Sequence, residues 1–140
     1  MNALKVMIVE DEAIAALATE MMLERLGCEI CCNVSSGEEA LEVLDSIRPD
    51  LLVMDVRLEG EMDGIETTEH IRRSHNIPVI YVTAYSDDTT QARAEATYPL
   101  AYLIKPLDMR LLEHALEQAR DLRPKYASSP PGLGLKEEMP

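Results

Sequence analysis

Short apolar runs alternate with segments of helical period along most of the chain. Lys5-Val6-Met7-Ile8-Val9 is almost wholly apolar and predicts a first strand. Helical spacing follows from Glu12 to about Leu26, with Ile14, Leu17, Ala18, Met21 and the aliphatic stem of Arg25 on one face, expected to pack inward; Gly27 supplies the stop. Cys28 to Val34 reads as the second strand. Ser36 and Glu39 have the spacing of a capping box that opens a helix carrying Ala40, Val43, Leu44 and Ile47, closed by Pro49. Asp50 to Met54 predicts a third strand, Asp63-Gly64-Ile65-Glu66 another helix start, and Pro78 to Val82 a fourth strand. A fourth helix over Ser86 to Ala96 is the weakest, being polar and Ala-rich with no large apolar side chain to dock. Leu100 to Ile104 predicts a fifth strand. Pro106 suits the first position of a last helix, with Leu111, Leu112, Ala115, Leu116 and Ala119 as its buried stripe.

This alternation implies an α/β three-layer fold around a parallel sheet. The first, third and fourth strands are apolar throughout, as strands covered on both faces are. Right-handed crossovers then bring every strand's C-terminal end to one edge, where such folds bind ligands.

The chain has 140 residues, one domain's worth. Residues 1–122 carry the pattern and are read as that domain. Residues 123–140 hold four of the eight prolines, Gly132 and Gly134 without periodicity, and are read as a tail or linker. The 26 acids against 13 bases, net −13, argue against direct nucleic-acid binding, which rests on neutralising phosphates with Lys and Arg. No apolar run approaches the roughly 18–20 residues that cross a bilayer, and the N-terminus lacks a signal-peptide pattern, so a cytoplasmic protein with no membrane contact is expected.

Cys28, Cys31 and Cys32 resemble a redox motif only superficially. Residues three apart in a strand point to opposite faces, about 10 Å apart, whereas a disulfide needs Cα atoms within about 7 Å. They are read as core or edge-strand thiols. His70, His75 and His114 lack the spacing of a metal pair and are read as surface or ordinary packing residues.

The residues that end the strands carry the chemistry. The first strand ends in Glu10-Asp11-Glu12, the third in Asp55, the fourth in Thr83, and the fifth in Lys105 followed by Pro106. Carboxylates, a hydroxyl and an ammonium from four strands thus meet on one edge. Crowded carboxylates repel unless a cation sits among them. Hard oxygen ligands with few fixed positions suit Mg²⁺. A carboxylate can attack phosphorus to give an aspartyl phosphate, and a metal and an ammonium would neutralise the transferring group.

Val-Glu-Asp-Glu at 9–12, Val-Met-Asp at 53–55, Asp-Gly at 63–64, Val-Thr-Ala at 82–84 and Tyr-Leu-Ile-Lys-Pro at 102–106 together resemble the receiver domain of two-component response regulators. The resemblance covers residues 3–122 and implies a flavodoxin-like fold, order 2-1-3-4-5. It implies Asp55 as phosphoacceptor from a sensor histidine kinase or phosphotransfer protein. It implies Mg²⁺ on Glu10, Asp11, Asp55 and the backbone carbonyl of Arg57, with Lys105 pairing the phosphoryl group through a cis Lys105-Pro106 bond. Thr83 and Tyr102 would be the switch pair. The 86–120 face would take a downstream partner or a second copy. Such a domain is a switch with slow self-hydrolysis, not a turnover enzyme.

Three departures from the family pattern stand out. Glu10 replaces the commoner Asp, the 56–62 stretch is about two residues longer, and Thr97-Tyr98-Pro99-Leu100-Ala101 replaces a small Gly-Ala step. A dehalogenase-type phosphatase needs an acid where Arg57 stands. A flavin binder needs a neutral phosphate loop where Glu10-Asp11-Glu12 stands. The remaining alternative is a degenerate receiver that works as an unphosphorylated interaction module.

Overall fold

The computed structural model describes residues 3–127. Five strands, β1 (Lys5–Val9), β2 (Glu29–Val34), β3 (Leu51–Met54), β4 (Val79–Thr83) and β5 (Ala101–Ile104), alternate with five helices. The helices are α1 (Ala13–Arg25), α2 (Gly37–Val43), α3 (Gly64–Arg72), α4 (Asp88–Glu95) and α5 (Met109–Ala127). All strand pairs are parallel, in the order β2-β1-β3-β4-β5, as the resemblance implies.

Alternate strand residues build two cores. Val6, Ile8, Leu51, Val53, Ile80 and Val82 face Leu23 of α1 and Leu112 and Leu116 of α5. Met7, Val9, Leu52, Met54, Val79 and Tyr81 face Ala40 of α2, Leu44 at its C-cap, Ile65 and Ile71 of α3 and Ala94 of α4. The period-2 alternation of the strands therefore fills both layers.

The expected inner face of α1 is its outer face. Ile14, Leu17 and Met21 are 84%, 56% and 56% exposed, and Ala18 and Arg25 are exposed with them. Ala16, Thr19 and Leu23 are buried instead. Two faces of this helix have apolar spacing, and the one with small residues lets the helix approach the sheet closely. Gly27, at φ 90°, ends the helix in a Schellman turn, with Cys28 N donating to Leu23 O and Gly27 N to Glu24 O.

Other details also differ. The Ser36 hydroxyl caps Glu39 N, but the Glu39 carboxylate reaches back to Ser35 N and Oγ, one residue before the expected partner. The full reciprocal box stands at α3, between Asp63 and Glu66. Helix α4 starts after an Asp87 cap rather than at Ser86. Helix α5 starts at Met109, with Asp108 accepting from Arg110 N, so Pro106 lies in the preceding loop. Its stripe buries Leu112, Ala115, Leu116 and Ala119, while Leu111 is 57% exposed. The helix runs to Ala127, into the segment read as tail; residues 128–140 lie outside the described residues. Among the described residues no helix is long and apolar enough to cross a membrane.

Candidate functional site at the C-terminal edge of the sheet

Backbone pairing continues one step past each strand end and so fixes the site. Glu10 N donates to Val34 O at 2.9 Å, Asp55 N to Val9 O at 3.0 Å, and Lys105 N to Thr83 O at 2.8 Å. Each candidate residue is thereby held by the neighbouring strand's last residue, not by a free loop. Gly64 closes the far wall. A Cβ there would lie 1.9 Å from the carbonyl oxygen of Asp55, so only glycine lets α3 begin this close to Asp55.

Glu10, Asp11 and Asp55 each offer a carboxylate oxygen within 4.8 Å of the others. The Lys105 ammonium donates to Glu10 Oε1 at 2.7 Å and to Asp55 Oδ2 at 3.0 Å, while Arg57 N donates to Asp55 Oδ1 at 3.0 Å. Glu10 and Asp55 are buried polar groups and Asp11 is half-buried. Burial pushes the Glu10 carboxyl up to about 7, with the Lys105 bond pulling it down and the adjacent Asp55 pushing it up. Burial alone would lower the Lys105 ammonium, but its bonds to Glu10 and Asp55 outweigh that and hold it above its ordinary value. Hard oxygen donors in a compact, over-charged cluster suit a divalent cation.

The cleft above them has a volume of about 290 Å³, bounded by Asp11, Asp55, Arg57, Tyr85 and Lys105. A larger cavity, about 440 Å³ beside Arg72, Thr97 and Leu100, opens at the other edge of the sheet and lacks this convergence of carboxylates. Thr83 is fully buried, and its Oγ1 accepts from Tyr85 N at 3.3 Å. Tyr102 is half-buried, with its hydroxyl donating to Tyr85 O at 2.7 Å. The Arg57 guanidinium lies 4.2 Å from the centre of the Tyr85 ring. Tyr85, which lines the same cleft, therefore touches three of the candidate residues. The structure brings Glu10, Asp11, Asp55, Arg57 and Lys105 to one cleft, while Thr83 is buried behind it and both Thr83 and Tyr102 reach it through Tyr85. The Lys105-Pro106 bond is cis.

The family model for the response regulator receiver domain matches residues 6–117. The chain belongs to this family. The receiver is 35% identical over 115 residues to the transcriptional regulatory protein PdtaR of Mycobacterium tuberculosis, covering 82% of this chain and 56% of that protein. It is 37% identical over 115 residues to the transcriptional regulatory protein ZraR of Escherichia coli, covering 81% of this chain and 26% of that protein. The receiver thus spans about half of one relative and a quarter of the other. The signal receiver domain of a modulated diguanylate cyclase from Desulfovibrio desulfuricans superposes with TM-score 0.81 at 33% identity, over 89% of this chain and 99% of that one. The receiver domain of the sensor histidine kinase PA1611 from Pseudomonas aeruginosa, with a magnesium ion in its active-site cleft, superposes at 0.74 and 28% identity, over 84% and 97%.

The departures noted in the sequence have local consequences. The long β3–α3 loop is tied to α2: Glu59 bridges Ser36, and Glu61 N donates to Glu38. Tyr98 adopts φ 57° before β5. Arg72 donates to Thr97 O, Tyr98 O and Ile77 O, which holds that turn in place.

Proposed function

We propose that this receiver accepts a phosphoryl group on Asp55 from a phosphohistidine of a sensor histidine kinase or phosphotransfer protein. The observation that carries the reading is the Asp55 carboxylate, buried at a strand end, within reach of Glu10 and Asp11 and bonded by Lys105. One Asp55 oxygen bonds to phosphorus as the donor's N–P bond breaks and the histidine leaves as imidazole. Lys105, already on Asp55, pairs the incoming negative charge. Glu10, Asp11, Asp55 and the Arg57 carbonyl would hold Mg²⁺, which supplies charge neutralisation when bound. Thr83, buried behind the cleft, would turn its Oγ1 to a phosphoryl oxygen once the Tyr85 amide releases it.

The donor protein docks on the Ile14-Leu17-Met21 face of α1. That stripe begins three residues after Asp11, so a helix lying on it brings a side chain to the mouth of the cleft. The face over residues 86–120 then signals onward to a downstream partner or a second copy. We read the domain as a cytoplasmic switch whose only turnover is slow hydrolysis of its own phosphoryl group.

Incubation with acetyl phosphate and Mg²⁺ followed by intact-mass measurement tests this. One phosphoryl group is expected on the parent and none on Asp55→Asn. An unlabelled parent would support the interaction-module alternative. Thermal melting supplies a second readout. Mg²⁺ at about a hundred times its Kd should add roughly 2.7 kcal/mol to the parent, and Asp11→Ala should lose most of that gain.

A further inference from the structure

The regular alternation of β2 breaks at its centre. Val6 pairs with Ile30 but Met7 pairs with Cys32, so Cys31 is an extra residue in the strand. Cys28 and Ile30 pack on the α1/α5 side of the sheet, while Cys31, Cys32 and Val34 all pack on the other. Two consecutive thiols that a regular strand would place on opposite faces therefore stand side by side, with Sγ atoms 3.8 Å apart, and both are partly exposed on the edge strand.

We propose that Cys31 and Cys32 form a two-thiol chelating site for a trivalent thiophilic metalloid, arsenic(III) above all. An organoarsenic(III) oxide, R–As=O, reacts with the two thiols so that two As–S bonds form. The As=O bond breaks, its oxygen leaves as water with both thiol protons, and nothing is oxidised or reduced. The geometry favours this over a disulfide. Neighbouring Cα atoms lie about 3.8 Å apart, shorter than the roughly 4.4–6.8 Å of ordinary disulfides, whereas a bridging atom lets the sulfurs stay apart. Cys28 lies on the other side of the sheet and takes no part.

Phenylarsine oxide is the probe. One equivalent should add one phenylarsenic group per native chain by intact mass and protect two of the three cysteines from alkylation. A dithiol should release it, and a monothiol at the same thiol concentration should not. Cys31→Ser and Cys32→Ser should each weaken binding at least a hundredfold, since a single thiol cannot chelate, while Cys28→Ser should bind as the parent does. A synthetic peptide covering residues 28–34 guards against misfolded variants. The native chain should hold the arsenical more tightly than the peptide, because the bulge already sets the two sulfurs together. No adduct, an adduct that survives loss of either Cys31 or Cys32, or weaker binding by the native chain than by the peptide would overturn the proposal.

Discussion

Helices α1 and α4 lie on opposite faces of one sheet, yet they are held to it very differently. Helix α1 buries Ala16, Thr19 and Leu23 and shows Ile14, Leu17 and Met21 to solvent. Helix α4 buries only Ala94 and shows polar residues almost everywhere else. The first is a firmly anchored element with a permanently apolar outer surface, suited to receiving a partner whatever the state of Asp55. The second is held by one methyl group, an Asp87 cap and a surface ion pair, Arg93 to Asp63 at 3.1 Å. Such an element opens locally at low cost. The two helices thus differ in how they are anchored, not only in what they display.

The largest expected effect tests the anchoring of α1. Leu23→Ala should cost about 2–5 kcal/mol, since it empties a fully buried site. Leu17→Ser should stay within about 0.5 kcal/mol, because the side chain is mostly exposed and belongs to neither core cluster. Urea denaturation of both variants reads the difference. A Leu17 cost as large as that of Leu23 would mean the stripe belongs to the core after all.

Next in size is the proposed docking role of that stripe. Leu17→Arg should slow phosphotransfer from a phosphohistidine protein at least tenfold, about 1.4 kcal/mol. Labelling by acetyl phosphate, which needs no docking surface, should not change. Equal losses with both donors would place the damage at Asp55 instead of at the docking face.

What was legible in the sequence divides along the same line. The strand-end residues Glu10, Asp55, Thr83 and Lys105 could be read because apolar runs fix where a strand stops, and parallel crossovers put all stops on one edge. The phase of α1 could not. Ile14-Leu17-Met21 and Ala16-Thr19-Leu23 both have helical spacing, and periodicity does not say which faces the sheet. Leu111 failed for a similar reason, lying at the margin of the α5 stripe. The bulge at Cys31 depends on pairing with a distant strand, which no local pattern records.

The anchoring of α4 can be sharpened by Arg93→Ala. An exposed ion pair contributes roughly 0.2–1 kcal/mol, so amide exchange within residues 88–95 should accelerate by up to about fivefold. Exchange within α1 should not move. Acceleration of both helices together would show that they open as one unit, and the contrast between them would fail.

The smallest expected effect concerns the link between the cleft and the output face. Tyr102 donates its hydroxyl to the Tyr85 carbonyl, and Tyr85 in turn donates its amide to Thr83 Oγ1. In the proposed switch, Thr83 turning toward a phosphoryl oxygen would give up the Tyr85 amide and leave the loop carrying the Tyr102 acceptor free to shift. Tyr102→Phe removes one partly solvated hydrogen bond from the resting state, worth about 0.5 kcal/mol at the low end for such bonds. That corresponds to roughly a twofold rise in any shifted conformer, far short of the ~5.5 kcal/mol that a full 1:99 to 99:1 switch requires. NMR of the variant should therefore show small displacements across residues 86–104, along the direction that beryllofluoride, a phosphoryl mimic, produces in the parent. Displacements confined to position 102 and its sequence neighbours would break the link from Thr83 through Tyr85 to Tyr102.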